Sequence, residues 1–160
     1  MEWPALPKKD PYKKKPAQIN AKSRRAFESI GWIVETTQSF NAHTGHNKDL
    51  LGFADLLMFV PGHPATVLVQ ACMIGDRSKR KDKILASPLA YAWLTGQPHH
   101  HIWIDAWKRK PHGGWENDIT VILEEDFDLC RIESAQVVQL GHAKKGHLID
   151  LVTARNTRGK

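Results

Sequence analysis

Apolar runs broken by single polar residues mark the middle of the chain. Two strand-like runs, residues 48–60 and 65–72, flank the turn sequence Pro-Gly-His-Pro at 61–64. Proline and glycine between two such runs favour a turn, so the pattern predicts a β-hairpin. Asp55 interrupts the first strand and Gln70 the second. A polar group buried in a strand needs a partner, so these two residues are candidates for a functional site.

The residues before this hairpin predict a helix, a strand and a loop. Asn20 suits the N-cap of a helix that continues through Ser29 or Ile30. Residues 32–40 are rich in β-branched and aromatic residues, which is typical of a strand. Residues 41–48 are polar and predict a loop. The expected order up to the end of the hairpin is therefore one helix followed by three strands.

The residues after the hairpin predict two helices and a second pair of strands. Residues 76–85 form a cationic amphipathic segment that predicts a helix. Ser87 followed by proline is a good start for another helix over residues 88–96. Apolar residues predict strands over 100–107 and 115–123, joined by a turn that contains proline and glycine. The complete order predicts a mixed α/β domain with a central sheet.

The length of 160 residues fits one domain with an extension at each end. Residues 1–18 include several prolines and lysines and predict a flexible basic arm. Residues 19–125 hold the predicted α/β domain. Residues 126–160 form a C-terminal extension, in which residues 133–140 predict a short helix.

The composition predicts a globular protein of the cytoplasm. Hydrophobic residues make up 41% of the chain and charged residues 25%, which is ordinary for such a protein. No apolar run is long enough to span a bilayer and no signal-peptide core precedes Ile30, so we expect no membrane partner. Cys72 and Cys130 are the only cysteines and form no CxxC motif. This spacing disfavours a disulfide framework or structural zinc and favours a reducing compartment.

Positive charge is concentrated in three parts of the sequence. The formal net charge is +6 and the pI is about 9.4. Lysine and arginine cluster near the start of the chain, within residues 77–83 and near the end. Such clusters favour a polyanionic partner, and we expect nucleic acid, whose phosphates they would neutralise. The candidate nucleic-acid contacts are Lys13, Lys14, Lys15, Arg24, Arg25, Lys48, Arg77, Lys79 and Lys81.

Three short motifs carry a family resemblance. They are Asp-Leu-Leu-Gly-Phe-Ala-Asp at 49–55, Gln-Ala-Cys at 70–72 and Arg-Lys-Asp-Lys-Ile at 80–84. With them the chain resembles the PD-(D/E)XK, or restriction-endonuclease-like, nuclease superfamily, and within it a Holliday-junction-resolvase-like group of phage and bacterial proteins. The resemblance implies an αβββαβ core with a mixed central sheet. It also implies a DNA endonuclease that uses Mg²⁺ or Mn²⁺, in the host cytoplasm if the chain is phage-encoded.

The resemblance assigns roles to residues of these motifs. Carboxylate and amide oxygens on neighbouring strands would hold the metal ion, and Asp49, Gln38 or Glu35 could complete its shell. A cation from the helix after the hairpin would replace the lysine of the superfamily. Resolvases of this fold act on branched DNA as homodimers, although no residue here marks a dimer interface. The catalytic candidates are Asp55, Gln70, Arg80 and Lys83, and the metal candidates are Asp55, Gln70 and Asp49.

Two positions depart from the superfamily motif and keep other functions open. Gln70 stands where glutamate is usual, and Cys72 stands where lysine is usual. An amide brings no charge, and a thiol cannot supply the fixed charge of an ammonium group. One alternative is a catalytically inactive nucleic-acid-binding protein on the same fold, and another is a structural or interaction module of a phage. Structural roles also stay open, with Asp55 as a capped strand residue and Gln70 as a buried amide bonded to the backbone.

Overall fold

The computed structural model describes residues 16–132. The predicted helix over residues 133–140 and the predicted arm up to residue 15 lie outside the described residues. None of the described helices is long and apolar enough to cross a membrane. The helices are α1 (Pro16–Ser29), α2 (Arg77–Leu85) and α3 (Pro88–Gly96). The strands are β1 (Ile33–Thr36), β2 (Ser39–Asn41), β3 (His46–Lys48), β4 (Leu56–Phe59), β5 (Thr66–Met73), β6 (His100–Arg109) and β7 (Trp115–Ile122).

Five strands form one open sheet in the order β1-β4-β5-β6-β7. β5 and β6 run parallel, and the other neighbouring pairs run antiparallel. Parallel neighbours need a crossover connection, which α2 and α3 supply between β5 and β6. The predicted β4–β5 hairpin is confirmed, with Leu56 opposite Val69 and Phe59 opposite Thr66. Its first strand is shorter than the predicted run 48–60, because a turn at Leu51–Phe53 intervenes, so the placement of Asp55 inside the strand is wrong. The structure thus confirms a mixed α/β fold with a mixed central sheet.

α1 begins at Pro16, so the predicted N-cap at Asn20 is wrong. Ile19, Ser23 and Phe27 are buried at helical spacing, and this stripe draws the earlier turn onto the sheet. Proline is also favourable in the first turn of a helix. Asn20 consequently lies inside the helix with only 7% of its surface exposed. Its amide therefore needs partners in the interior of the protein.

The single strand predicted over residues 32–40 and the loop predicted over 41–48 are wrong. β1 ends at Thr36, while β2 and β3 pair in a separate two-stranded sheet. Thr37 lies at the break, where its N–H donates to the Asp55 carbonyl (3.0 Å) and its hydroxyl donates to the Ala54 carbonyl (2.7 Å). These bonds hold the chain that leaves β1 against the residues that precede β4.

The remaining predicted elements are confirmed with small shifts of their ends. α2 begins at Arg77, after a 3-10 turn at Ile74–Asp76. Ser87 caps α3, because its hydroxyl accepts a hydrogen bond from the Ala90 N–H (3.3 Å). β6 and β7 pair along their predicted lengths.

Helices cover both faces of the sheet. α1 packs over one face, where Phe27 and Val69 belong to the same core cluster. α2 and α3 pack over the other face, where Ile84 is fully buried. Phe127 and Ile132, which follow β7, are buried in this second core. The described part of the C-terminal extension is therefore packed against the α/β domain.

Candidate active site

A strained turn places Asp55 just before β4. Leu51 and Gly52 have φ angles of 54° and 79°. This left-handed conformation costs roughly 1–2 kcal/mol for a residue with a side chain and little for glycine. The turn is closed by the Ala54 N–H, which donates to the Leu50 carbonyl (2.9 Å). Strain of this kind persists where the surrounding structure fixes it, and it is concentrated at functional sites.

Asp55 and Gln70 form a buried, hydrogen-bonded pair across the β4–β5 hairpin. Their exposed fractions are 4% and 2%. Asp55 Oδ2 accepts hydrogen bonds from the Ala71 N–H (3.0 Å) and from Gln70 Nε2. Gln70 Nε2 also donates to the Ala71 carbonyl (3.3 Å), which orients the amide. The Asp55 N–H donates to the Val69 carbonyl (2.9 Å) and fixes the register that brings the two side chains together.

Two buried polar atoms at this pair have no hydrogen-bond partner among the described residues. They are Oε1 of Gln70 and Nε of Arg80 on α2. A buried polar atom without a partner costs about 1–3 kcal/mol. The amide oxygen can accept a cation or a donor, whereas the guanidinium N–H can donate to an anion. A metal ion together with a phosphate oxygen would satisfy both atoms.

Burial raises the pKa of Asp55 from its ordinary value of 3.8 to about 6. The negative charge of Asp49 also raises it. The Ala71 N–H, the charge of Arg80 and a hydrogen bond with Asn20 act in the opposite direction. The carboxylate is therefore mostly ionised at neutral pH, but its ionisation is unfavourable to the fold. Carboxyl groups perturbed in this way are frequent at functional sites.

Cys72 lies on the same face of β5 as Gln70, two residues further along the strand. Burial raises the pKa of its thiol to about 11, against the opposing effect of Arg80. The thiol is therefore protonated at neutral pH. It supplies neither a positive charge nor a thiolate for a soft metal. The charge of Arg80 acts on both Cys72 and Asp55.

Asp49 lies close enough to affect Asp55, but both of its carboxylate oxygens have other partners. Oδ1 accepts a hydrogen bond from Gln38 Nε2 (3.0 Å), and Oδ2 lies 3.8 Å from Lys83 Nζ. A cleft of about 650 Å³ opens beside Asp49, and Lys48 contributes to its wall. Lys83 thus pairs with Asp49, at the edge of the site.

The site fits a divalent metal ion that has few protein ligands. Within residues 16–132, no three His, Cys, Asp or Glu side chains gather into a metal-binding group. Mg²⁺ needs no such group, since it binds through one or two carboxylates and otherwise keeps waters and substrate phosphate oxygens. Asp55 offers a carboxylate, and Gln70 offers an amide oxygen without a partner in the described chain. A cation there would also favour ionised Asp55.

The predicted nucleic-acid contacts differ in exposure and in partners within the described residues. Arg25 and Lys79 are exposed. Lys13, Lys14 and Lys15 lie outside the described residues. Three other predicted contacts form ion pairs: Arg24 with Glu28 (2.8 Å), Arg77 with Asp118, and Lys81 with Asp126 (3.2 Å).

Two buried polar residues near the site were not among the candidates from the sequence. Asn20 is hydrogen-bonded to Asp55, and no sequence pattern indicates this, because its burial depends on how α1 packs. Asp105 on β6 is fully buried, and its Oδ2 accepts from Ser23 Oγ (2.6 Å) and Trp107 Nε1 (2.9 Å). An acid inside an apolar strand could have indicated Asp105. Its bonds are to neutral donors that join α1 to the sheet.

No protein-family model matches this chain, and no curated protein or solved structure matches it. The function is therefore inferred from the geometry. The structure brings Asp55, Gln70 and Arg80 together, with Asp49 and Lys83 beside them.

Proposed function

We propose that the protein is a metal-dependent endonuclease that hydrolyses phosphodiester bonds in DNA, with the resolvase-like nucleases as its nearest functional type. The observation that carries this proposal is the buried Asp55–Gln70 pair with two partnerless atoms, Gln70 Oε1 and Arg80 Nε. A carboxylate and an amide oxygen can hold a divalent cation, and a guanidinium group can hold a phosphate oxygen. A phosphodiester bound together with a metal ion would give both partnerless atoms a partner.

The order of the elements supports the proposal. α1, β1, β4, β5, the helices α2 and α3, and β6 follow one another along the chain, with β2 and β3 as an insertion. This is the αβββαβ order of the restriction-endonuclease-like core. In related nucleases an aspartate on one strand precedes Glu-x-Lys on the next strand. Asp55 directly precedes β4 and Gln70 lies on β5, and these strands pair as neighbours, so the two residues follow a similar pattern.

The residues of the site have distinct proposed roles. Asp55 and Gln70 would hold Mg²⁺ or Mn²⁺, which supplies a bound water of lowered pKa and positive charge beside the phosphate. Arg80 would bind the phosphate oxygen on which negative charge develops. Its Nε is buried and its charge acts on Asp55, whereas Lys83 is more exposed and pairs with Asp49. Arg80 is therefore a better candidate than Lys83 for the catalytic cation, which is a lysine in nucleases of the superfamily.

Cleavage of labelled DNA tests the proposal. Four-way-junction, duplex and single-stranded DNA are incubated with the protein and either Mg²⁺ or Mn²⁺. We expect metal-dependent cutting of at least one substrate, abolished by Asp55→Asn and reduced roughly 100-fold by Arg80→Gln. The matched control is Asp82→Asn, which removes an exposed carboxylate of α2 and should leave cutting unchanged. Failure of the wild-type protein to cut any of the three substrates with either metal would refute the proposal.

A stability measurement tests metal binding without catalysis. Gln70→Glu replaces the amide donor with a second carboxylate beside Asp55, so the two charges repel each other until a cation neutralises them. We expect this variant to unfold at lower urea concentration than the wild type in chelator and to gain more stability from added Mg²⁺. Absence of any gain from Mg²⁺ in both proteins would show that no ion is held between residues 55 and 70.

A catalytically inactive nucleic-acid-binding protein is the second candidate. The partners of Asp49 favour this alternative. One of its carboxylate oxygens bonds to Gln38 and the other pairs with Lys83, so Asp55 is left as the one carboxylate for a metal ion among the residues of the site. Such a protein would bind DNA equally well in chelator and in Mg²⁺, and Asp55→Asn would not change its affinity. Metal-dependent cutting by the wild type would decide against it.

A further inference from the structure

The turn between β6 and β7 concentrates positive charge outside the proposed active site. We name residues 108–115 the β6–β7 tip. Lys108, Arg109, Lys110 and His112 lie in the tip and are exposed. Lys108 pairs with an acid, Glu116, at 3.1 Å. The formal charge of residues 108–116 is therefore +2, from Lys108, Arg109, Lys110 and Glu116.

α2, by contrast, has much of its positive charge compensated. The helix has five basic residues in nine. Arg80 is half-buried and acts on the Asp55–Gln70 site. Three others form ion pairs: Arg77 with Asp118, Lys81 with Asp126 (3.2 Å), and Lys83 with Asp49 (3.8 Å). Acidic side chains thus pair with three of the five basic residues of α2, while Lys79 is exposed.

Trp115, at the start of β7, holds two cations at the tip. Arg109 Cζ lies 5.1 Å from the centre of its indole ring, and Lys22 Nζ of α1 lies 4.8 Å from the same centre. Cation–π contacts position charged groups without neutralising them. Because these cations already occupy the ring, Trp115 is not an open platform for an unpaired base. The arrangement suits phosphates better than exposed bases.

The tip projects from the end of the sheet that carries the proposed active site. Met73, the last residue of β5, lies opposite Trp107 on the parallel strand β6. β6 continues to Arg109 before the chain turns back. At about 3.3 Å per residue, the turn lies roughly 10–15 Å beyond the end of β5. Gln70 lies in the last half of β5, so one extended ligand can reach both places.

We infer that the β6–β7 tip, with Lys22, binds the phosphate backbone of a DNA duplex that lies across this end of the sheet. The inference takes DNA as the substrate from the proposed function. It adds the surface of the protein that holds the duplex. Arg109 and Lys110 contact phosphates, and Trp115 keeps the charged groups of Arg109 and Lys22 in position. Backbone contacts carry no sequence information, so the tip contributes affinity that is independent of sequence.

Binding of a labelled duplex, followed by fluorescence anisotropy in chelator, tests the inference without cleavage. Affinity is measured at several salt concentrations between about 50 and about 200 mM, because each phosphate contact adds to the salt dependence. Lys110→Ala is the first variant, since the residue lies in an exposed turn. We expect roughly threefold to tenfold weaker binding and a slope of log affinity against log salt that is smaller by about 1. Arg109→Ala/Lys110→Ala should reduce the slope by about 2.

Arg131→Ala is the matched control, because it removes one exposed cation that lies outside the tip. It should leave affinity and slope unchanged. Wild-type slopes in both tip variants would overturn the inference, as would tighter binding of a single strand than of a duplex. Absence of duplex binding by the wild type would also overturn it.

Cutting assays on the same proteins separate this inference from the proposed function. A wild type that binds duplex through the tip but cuts nothing refutes the nuclease proposal and leaves the tip as a DNA contact. If the wild type cuts DNA and the tip variants bind duplex as tightly as the wild type, the nuclease proposal stands and the inference about the tip is overturned.

Discussion

Replacing Asp55 by asparagine should stabilise the fold at neutral pH and remove part of its dependence on pH. Two hydrogen bonds to this carboxylate reach the same oxygen, Oδ2, from Gln70 Nε2 and the Ala71 N–H. The carbonyl oxygen of asparagine can occupy the same place and accept both. The substitution therefore keeps the two hydrogen bonds to Oδ2 and removes the buried charge, and it leaves the Asn20 amide facing an amide instead of a carboxylate.

The magnitude follows from the two pKa values of Asp55. Its pKa is about 6 in the folded protein, against an ordinary value of 3.8. Below pH 3.8 the carboxyl group is protonated in both states and carries no penalty. As the pH rises to about 6, the unfolded chain releases its proton first, so unfolding becomes more favourable. Above that pH the loss of stability is complete, at roughly 3 kcal/mol.

The assay is urea unfolding of the wild type and Asp55→Asn in chelator, between about pH 4 and about pH 7.5. The other titrating groups are common to both proteins, so their contributions largely cancel in the difference. We expect the variant to gain about 3 kcal/mol relative to the wild type across this range, with a plateau above about pH 6.5. Asp82→Asn, which changes an exposed carboxylate, should give a flat difference. A flat difference for Asp55→Asn, or one that falls with pH, would refute an unfavourable buried charge at this position.

Two further predictions concern the turn before β4 and the thiol on β5. Gly52→Ala should lower the free energy of unfolding by about 1–2 kcal/mol through left-handed strain alone, since an added Cβ would meet no atom within 4 Å. Gly75→Ala is the control, because a Cβ there also meets no atom within 4 Å and the φ angle of Gly75 is not left-handed, so stability should change little. Equal losses of stability in both variants would contradict strain at Gly52. Cys72 is buried and its pKa is about 11, so only the exposed Cys130 should react quickly with a thiol reagent at pH near 8 in the folded protein. Two fast thiols per chain, or one in a Cys130→Ser variant, would contradict this.

The elements that could be predicted from the sequence are those with strong local determinants. The β4–β5 hairpin follows from two apolar runs around proline and glycine, and α3 follows from Ser87 and the proline after it. The break after Thr36 has no such determinant. It accompanies the hydrogen bonds of Thr37 to Ala54 and Asp55, which are distant in the sequence, so the local pattern of residues 32–40 predicts one strand.

The candidate site shows the same division. Asp55 and Gln70 could be predicted because each interrupts an apolar run of the sequence, and the hairpin makes β4 and β5 neighbours. The choice between Arg80 and Lys83 could not be made, because it depends on which side chain the packing of α2 turns toward the site. Asn20 was misassigned for a related reason, since its burial results from the contact between α1 and the sheet. Tertiary packing determines the burial and orientation of these side chains, and packing cannot be predicted from the local sequence.

The unfavourable features of the site are themselves the strongest reason to prefer an enzyme over a passive binder. The fold accommodates a buried carboxylate with a raised pKa, an amide oxygen and a guanidinium N–H that lack partners among the described residues, and a left-handed leucine in the preceding turn. Gln70 limits this cost, because its amide donates to Asp55 where a glutamate would add a second negative charge. A cation and a phosphate oxygen would relieve the three polar groups together. A protein that bound DNA only through its surface lysines and arginines would need none of them, and replacing them with apolar residues would stabilise it.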